Sequence, residues 1–407
     1  MSKYQPALRT QNYKYAIRNI VVEAQKVEAQ GKKVTYLNIG DPSIYGFQPP
    51  MELVEAHKRA LQDGFNGYSP SAGIPSARKA VAREANSRGI STTEDDILFT
   101  YGASEAADLI FAAFLEAGDE VLVPAPGYPL YTAICSKLGV KEVKYRQNAS
   151  NSWQPDSEEL RSLVTPKTKI LVIINPNNPT GALYSEQTLK QMLNVAKEFG
   201  LLVIADEVYH KLIFEGSHTP IAKLAGSDLP VITLESLSKN YLAPGWRLGW
   251  MTMSNSSLMP DLKAAIRKMA DARLCAPMAA QHTIEAAMNL PQSYLEPTMA
   301  RLRAQRDITF EELNRIQGIR CNKPEGAFYA MAQVDLHSTS TTDEAFVLGL
   351  LREEGVLFVH GSGFGTNPTE GFFRIVFLPE LEVLKDVYSR VANYTERFFQ
   401  LHSAVSV

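Results

Sequence analysis

Lys239 is the residue whose setting in this chain points most clearly to chemistry. It follows an apolar run at residues 231–234 and lies in a segment with few other charges. Most lysines are solvated surface groups. A lysine beside a buried strand is instead suited to condensing with a carbonyl group and, once released, to carrying protons. We therefore expect Lys239 to be a catalytic residue.

Groups that can bind an anion accompany this lysine. The hydroxyls of Ser236 and Ser238 and the guanidinium of Arg247 are its near neighbours in sequence. Arginine can hold a phosphate through two parallel charge-assisted hydrogen bonds. Earlier in the chain, Ser104 stands where a helix is predicted to begin, and helix starts leave backbone N–H groups free for an anion. An ordinary N-cap role for Ser104 is the alternative.

Further polar side chains follow two other predicted strands. Asn178 lies in the segment 175–181, where two prolines and a glycine fix the turn, so its amide is held rigidly and can donate to a cofactor oxygen. Asp206 ends a very apolar run, and a buried acid needs a cationic partner such as a pyridinium nitrogen. Tyr209, which follows shortly after, is placed to reach a hydroxyl on the same ring. A structural acid at a strand end is the alternative interpretation of Asp206.

An arginine interrupts an apolar strand near the end of the chain. Arg374 lies within residues 372–378, which are otherwise apolar. A guanidinium in such a strand must meet an anion or destabilise the fold. The anion is either a ligand or the acid of a structural ion pair.

The elements that must position these residues form an alternating pattern. Dense apolar runs, separated by helical segments, occur at residues 97–100, 120–123, 169–174, 201–205, 231–234 and 248–252. Runs of this kind are buried on both faces, which predicts an α/β fold with a mixed, mainly parallel sheet between helices. Ligands bind beyond the carboxyl ends of such strands, and the candidate residues follow those ends.

The length of the chain, 407 residues, predicts two domains. We predict an N-terminal arm over residues 1–50 that belongs partly to the small domain, a large domain over 51–293 and a small C-terminal α+β domain over 294–407. Helical patterns at residues 15–30, 261–289, 295–317 and 344–355 support this division.

Composition excludes several classes of function. The formal net charge of −3, without a long basic run, argues against nucleic acid or an anionic membrane as the main partner. No apolar run approaches the ~18–20 residues of a membrane span, and the N-terminus lacks the apolar segment of a secretory signal. Cys135, Cys275 and Cys321 lie far apart without metal-ligand spacing. We expect reduced, buried thiols, no metal site and a cytoplasmic location.

These segments together resemble the fold-type-I pyridoxal-phosphate (PLP) enzymes, class-I aminotransferases in particular, over nearly the whole chain. The resemblance implies an aspartate aminotransferase-like fold whose large domain binds pyridoxal 5'-phosphate. Lys239 would form the Schiff base, and Asp206 would pair with the pyridine nitrogen. Asn178 and Tyr209 would bind the ring hydroxyl, and Tyr128 would stack on the ring. The residues implied for the phosphate are Ala103, Ser104, Ser236, Ser238 and Arg247.

The same resemblance implies substrate and partner contacts. Arg374 would hold the substrate α-carboxylate in a bidentate pair, close to the backbone of Gly40. Tyr68, in the segment 67–70, would reach the coenzyme phosphate of a neighbouring subunit, which implies an obligate homodimer.

A closer similarity is to microbial alanine aminotransferases, and the segments that carry it are 15–18, 37–42, 47–50, 272–276, 323–329 and 359–365. It implies amino-group transfer between L-alanine and 2-oxoglutarate, which gives pyruvate and L-glutamate. Such an enzyme accepts both a methyl side chain and a second carboxylate. We therefore hypothesise that Arg18, on the N-terminal arm, contributes to the distal carboxylate site and that Tyr15 closes over small substrates. An Arg18 that only caps a surface helix is the alternative.

Other functions on the same fold stay open. An aspartate, aromatic or branched-chain aminotransferase and a carbon–sulfur lyase are the alternatives, since the reaction depends on which Cα bond stands perpendicular to the coenzyme ring. A non-catalytic regulatory protein would usually carry an additional DNA-binding segment or lack the lysine, and this chain does neither.

Overall fold

The computed structural model describes residues 4–10, 16–337, 339 and 341–403. The α-helices of this part of the chain are α1 Ala16–Ala29, α2 Met51–Gln62, α3 Pro75–Ser87, α4 Ala103–Phe114, α5 Pro129–Leu138, α6 Ser157–Ser162, α7 Glu186–Glu198, α8 Ile221–Ala225, α9 Leu237–Asn240, α10 Pro260–Ala272, α11 Met278–Gln281, α12 Ile284–Asn289, α13 Glu296–Arg315, α14 Asp343–Glu354 and α15 Leu381–Ser403. The strands are β1 Thr35–Tyr36, β2 Ile97–Thr100, β3 Glu120–Ala125, β4 Lys141–Asn148, β5 Gln154–Pro155, β6 Thr168–Ile174, β7 Leu202–Asp206, β8 Val231–Ser236, β9 Gly249–Ser254, β10 Ile319–Cys321, β11 Tyr329–Val334, β12 Val356–Leu357, β13 Val359–His360 and β14 Phe372–Val376.

The main sheet has eight strands within the described residues, in the order β2-β9-β8-β7-β6-β3-β4-β5. The five strands from β8 to β4 in this order run parallel. Strand β9 runs antiparallel to both of its neighbours, β8 and β2, and β5 runs antiparallel to β4. The prediction of a mixed, mainly parallel sheet is confirmed.

Both faces of this sheet are covered by helices. Along β6, Ile170 packs in the cluster that contains Ile110 of α4, whereas its neighbour Leu171 packs in the cluster that contains Met192 of α7. Successive side chains of a strand point to opposite faces, so this alternation buries both sides. Each such side chain contributes about 1.5–3 kcal/mol when fully buried. The edge of the sheet, rather than its face, is therefore where polar groups can gather.

A smaller antiparallel sheet lies beyond the main one, with strand order β10-β11-β14-β13. Helices α13, α14 and α15 cover it, and Leu302, Phe346 and Tyr388 are their fully buried contacts in one common core. Strand β1 pairs in parallel with β12, so the N-terminal segment packs with this smaller domain. The exact domain boundaries given above stay a prediction.

Several elements differ from their sequence-based predictions. The helical region predicted over residues 261–289 is interrupted between α10 and α11, where Leu274 has a left-handed backbone with φ of 73° and Pro277 follows. A left-handed residue and a proline both end a helix. The sequence also predicts a short strand over residues 34–39, and the structure limits it to the two residues of β1.

The three cysteines are free thiols and are buried, as predicted. None of the helices in the described ranges combines the length and the apolar character needed to cross a bilayer.

Candidate active site

A cavity of about 540 Å³ lies at the carboxyl edge of the main sheet. Residues that follow β2, β6, β7 and β8 reach it, because the carboxyl ends of strands with the same direction meet at one edge. Arg247 precedes its strand, β9, and reaches the same edge because β9 runs in the opposite direction. The direction of this one strand therefore brings the arginine to the cavity.

Most of the site residues predicted from the sequence line this single cavity. They are Gly40, Ala103, Ser104, Tyr128, Asn178, Asp206, Tyr209, Ser236, Ser238, Lys239, Arg247 and Arg374. Their convergence is a property of the fold, since they come from segments far apart in the chain.

Lys239 lies in the short helix α9 and is partly open to the cavity. Its Nζ donates a hydrogen bond of 2.6 Å to the carbonyl oxygen of Gly40. Burial of the amine lowers the pKa of Lys239 to about 8, aided by the positive charges of Arg374 and Arg247, while Asp41 acts in the opposite direction. A larger fraction of this amine is therefore neutral, and able to attack a carbonyl, than in an ordinary lysine.

Asp206 ends β7 and is almost fully buried. The Tyr131 hydroxyl donates to its Oδ2 at 2.8 Å, and the Val208 backbone N–H donates to its Oδ1 at 3.4 Å. Burial raises the pKa of Asp206 to about 6, and these two hydrogen bonds limit the increase. Its hydrogen-bond partners within the described residues are neutral, so the carboxylate can still pair with a cation at the cavity wall.

A pair of hydroxyls bridges the two sheets inside the cavity. The hydroxyl oxygens of Tyr209 and Tyr329 are 2.9 Å apart, and their rings meet edge to face at 5.7 Å. Tyr209 follows β7 of the main sheet, whereas Tyr329 begins β11 of the smaller sheet.

A second bridge joins Arg374 to Asn178. Arg374 lies in β14, and its Nη1 donates to Asn178 Oδ1 at 3.1 Å, while its Nη2 donates to the carbonyl of Asn38. The guanidinium also lies over the rings of Tyr329 and Phe364, at 4.8 and 4.7 Å. These neutral contacts hold the cation at the cavity wall, where a carboxylate can be bound.

The opposite end of the cavity is suited to a phosphate. Ala103 and Ser104 are the first two residues of α4, so the positive end of this helix faces the cavity. The N-cap is Gly102, which excludes the N-cap role for Ser104. Arg247 donates from Nη1 to Pro244 O at 2.9 Å and from Nη2 to Tyr101 O at 3.3 Å. These are neutral carbonyls, which leave the positive charge of the guanidinium for an anion.

Close packing of two backbone segments shapes the phosphate end of the cavity. A side chain at Gly249, the first residue of β9, would approach the Gly102 carbonyl carbon and the Ala103 nitrogen to 2.6 Å. Gly102 has φ of 73°, and a side chain there would meet Arg247 at 2.6 Å. Both glycines are therefore required for the two anion-binding segments to lie side by side.

The cavity thus combines an activated amine, a buried acid and an anion site in one place. A family model described as "Aminotransferase class I and II" matches residues 32–390. The chain belongs to this family. The sequence predicted both membership of the class-I aminotransferases and aminotransferase activity, and both predictions are confirmed.

The similarity to known relatives extends over almost the whole length of this aminotransferase. It is 38% identical to "Glutamate-pyruvate aminotransferase AlaA" of Escherichia coli, over 98% of this chain and 100% of that protein. A solved structure of alanine aminotransferase from Pyrococcus furiosus is 41% identical and covers 97% of this chain and 100% of that chain, with a TM-score of 0.93. Aspartate aminotransferase from Thermus thermophilus is 29% identical, with coverage of 96% and 100% and a TM-score of 0.86.

One predicted residue, Tyr68, lies away from the cavity, and the side chains of two others, Tyr15 and Arg18, are not described. Tyr68 is 80% exposed and is not among the residues that line it. Tyr15 lies outside the described residues, and for Arg18 only the backbone, within α1, is described. Ile17, the neighbour of Arg18, does line the cavity.

Two tyrosines of the site were not predicted. Tyr131 contacts Asp206 from behind the cavity, and Tyr329 lines it. Tyr131 lies three residues after Tyr128 on the first turn of α5, a spacing that places neighbouring residues on one helix face. That spacing was the available signal for Tyr131, and Tyr329 had none of comparable strength.

Proposed function

We propose that this aminotransferase uses pyridoxal 5'-phosphate held in the cavity. The observation that carries the proposal is that the Lys239 amine, the buried Asp206 carboxylate and the Arg247 guanidinium line one cavity. Their chemistry matches the aldehyde, ring nitrogen and phosphate of the coenzyme. Bound pyridoxal phosphate supplies an electron-withdrawing ring that stabilises negative charge at the substrate Cα.

Each part of the coenzyme has candidate partners on the chain. Lys239 would hold it covalently, Asp206 would pair with its ring nitrogen, and Tyr128 would lie on the ring face. Asn178 and Tyr209 would donate to the ring oxygen. The phosphate partners would be Ala103, Ser104, Ser236, Ser238 and Arg247.

The residues of the chain would share the work of amino-group transfer. Arg374 would bind the substrate carboxylate and so orient the Cα–H bond, while the rigid turn of Asn178 would fix the arginine. Lys239, whose amine has a depressed pKa, would take the proton from the substrate Cα and deliver it two bonds away, to the former aldehyde carbon of the coenzyme. The backbone oxygen of Gly40 accepts from this amine and would guide it between the two positions.

The coenzyme assignment can be tested directly. Protein mixed with pyridoxal phosphate should become yellow, and borohydride should bleach the colour while fixing the label at Lys239. A label on another lysine, or no colour, would contradict the proposal. K239A should retain non-covalent coenzyme binding and lose nearly all turnover.

We further propose that the substrates are L-alanine and 2-oxoglutarate, with pyruvate and L-glutamate as products. The names of the Escherichia coli and Pyrococcus furiosus relatives support this choice. A panel of amino donors with 2-oxoglutarate as acceptor tests it, and alanine should give the highest kcat/KM. A preference for aspartate, aromatic or branched-chain donors would select another aminotransferase, and pyruvate release from cysteine without an acceptor would indicate a carbon–sulfur lyase.

The roles of Arg18 and Tyr15 stay predictions within this proposal. Since the backbone of Arg18 adjoins a residue of the cavity wall, its guanidinium is a candidate for the distal carboxylate of glutamate. R18A should reduce the glutamate half-reaction more than the alanine half-reaction. An equal reduction of both would leave Arg18 with a structural role.

We also propose a homodimer in which Tyr68 reaches the site of the other subunit. Support comes from the 80% exposure of this tyrosine and from other exposed apolar side chains, Met51 and Leu274 among them. Mixed dimers of K239A and Y68A test it. If Tyr68 acts across the interface, each mixed dimer contains one intact site and activity returns. If it acts within its own subunit, no intact site forms and activity stays low.

A cytoplasmic location is part of the same proposal. The three free, buried thiols favour a reducing compartment. Cell fractionation with an antibody to the protein would test it.

A further inference from the structure

Tyr329 occupies a position that links the two sheets. Its side chain is 3% exposed, and its hydroxyl lies 2.9 Å from that of Tyr209, which is 4% exposed. The rings meet at an angle of 85°. Two buried hydroxyls at this distance share one proton donation, so the position of one fixes the orientation of the other.

Contacts with the neighbouring strand and with the N-terminal segment hold Tyr329 in this position. Its ring lies 4.8 Å from the Arg374 guanidinium, and β11 is paired with β14, which carries that arginine. A side chain on Gly40 would collide with the Tyr329 hydroxyl, so the glycine leaves the space that the hydroxyl fills. Gly40 in turn accepts the hydrogen bond from Lys239. Tyr329 thus touches the proposed carboxylate site and the backbone next to the catalytic amine.

We propose that Tyr329 is a positioning residue that orients the Tyr209 hydroxyl toward the coenzyme ring oxygen, an inference that rests on the proposed coenzyme site. When the Tyr329 hydroxyl donates to Tyr209, the Tyr209 proton is directed into the cavity. A hydroxyl that accepts one hydrogen bond also becomes a stronger donor in the next. Tyr329 therefore strengthens the donation of Tyr209 to the coenzyme without contributing to proton transfer itself.

The test uses the absorption spectrum of the holoenzyme, which reports the protonation of the coenzyme bound to Lys239. Donation from Tyr209 stabilises negative charge on the ring oxygen and so favours the deprotonated form. In Y329F the midpoint pH of the colour change should rise, with about a two- to tenfold lower acid dissociation constant, the equivalent of one neutral hydrogen bond. Y209F should raise the midpoint further.

A double variant and a matched control make the test specific. If Tyr329 acts through Tyr209, adding Y329F to Y209F should produce no additional change in the midpoint. Y388F is the control. Tyr388 is 1% exposed in the core of the smaller domain, and this variant loses a comparable hydrogen bond between hydroxyls, 2.7 Å from Thr309. Its midpoint should equal that of the unaltered enzyme.

Different outcomes overturn different statements. An unchanged midpoint in Y329F, a full additional change in the double variant or an equal change in Y388F overturns the role of Tyr329 and leaves the coenzyme assignment in place. Failure of the unaltered enzyme to form a coloured complex at Lys239 overturns both.

Discussion

The depressed pKa of Lys239 makes a quantitative prediction about the reactivity of its amine. Burial lowers this pKa from the ordinary 10.5 to about 8. At pH 7 the neutral fraction is then about one in eleven, against about one in three thousand for an ordinary lysine, a gain of about 300-fold. Because only the neutral amine attacks a carbonyl, we expect a much larger fraction of Lys239 than of an ordinary lysine to be reactive at neutral pH.

Competitive labelling measures this property in the coenzyme-free protein. Trace acetic anhydride is added over a range of pH, and the label on each lysine peptide is quantified by mass spectrometry. The peptide that contains Lys239 should show a midpoint near pH 8, and exposed lysines such as Lys58 in the same sample serve as internal controls. A midpoint at or above pH 10 would refute the argument that burial governs this amine.

D41N tests the electrostatic part of the same reasoning. The negative charge of Asp41 raises the Lys239 pKa, so its removal should move the labelling midpoint to lower pH. The variant is conservative because the Asp41 oxygen that caps the Ser43 N–H at 2.9 Å is retained by asparagine. A midpoint that moves to higher pH would show that the sign of the interaction is wrong.

Three further predictions test other parts of the molecule. R374K should lower kcat/KM for every substrate by roughly tenfold to hundredfold, since a bidentate charge-assisted contact is lost, and coenzyme affinity measured by dialysis should not change. Y131F removes the 2.8 Å hydrogen bond to Asp206, makes this carboxyl a weaker acid and should weaken coenzyme binding by roughly tenfold to hundredfold. Y145F, which removes an equally buried hydrogen bond to the Val172 carbonyl, should bind coenzyme normally, and equal losses in both variants would contradict this role of Tyr131. Burial raises the pKa of Glu207 from 4.5 to about 8, so the folded state binds more protons than the unfolded state between these values and stability falls as pH rises through them. E207Q should reduce this decline in urea denaturation, and an unchanged pH dependence would refute the assignment.

The central strands were predictable because a strand that is buried on both faces consists of consecutive apolar residues. Strand β6 is buried at nearly every position, and its last five residues, 170–174, are all apolar. Strand β4 is different, since its exposed and buried residues are mixed and many are polar. It therefore gives no comparable signal. Helix α15 was also not identified, although Leu384, Tyr388 and Val391 recur at helical spacing and are buried.

The direction of β9 could not be inferred from its residues. An apolar run has the same composition whichever way the strand runs, and direction depends on pairing with β2 and β8. The sequence motif identified Arg247 as an anion-binding candidate. Only the fold explains how Arg247, which precedes its strand, reaches the carboxyl edge of the main sheet. The other residues at that edge come after their strands.

The tyrosine contacts were beyond sequence reasoning for a related cause. Tyr131 and Asp206 are separated by 75 residues, and Tyr209 and Tyr329 by 120. Local patterns indicate which residues are buried or lie in a turn. They do not indicate which distant side chain completes a hydrogen bond, because that depends on how elements far apart in the chain pack together.

The location of Arg374 on the smaller sheet has an evolutionary consequence. The residues proposed to hold the coenzyme come mainly from the edge of the main sheet, whereas the arginine proposed for the substrate belongs to β14. Mutations in the smaller domain that spare Arg374 and Tyr329 can therefore change how the substrate side chain is accommodated while leaving the reactive centre intact. We expect proteins with this architecture to diverge in substrate preference more readily than in the reaction that they catalyse. The aspartate aminotransferase that keeps the fold at 29% identity is consistent with that expectation.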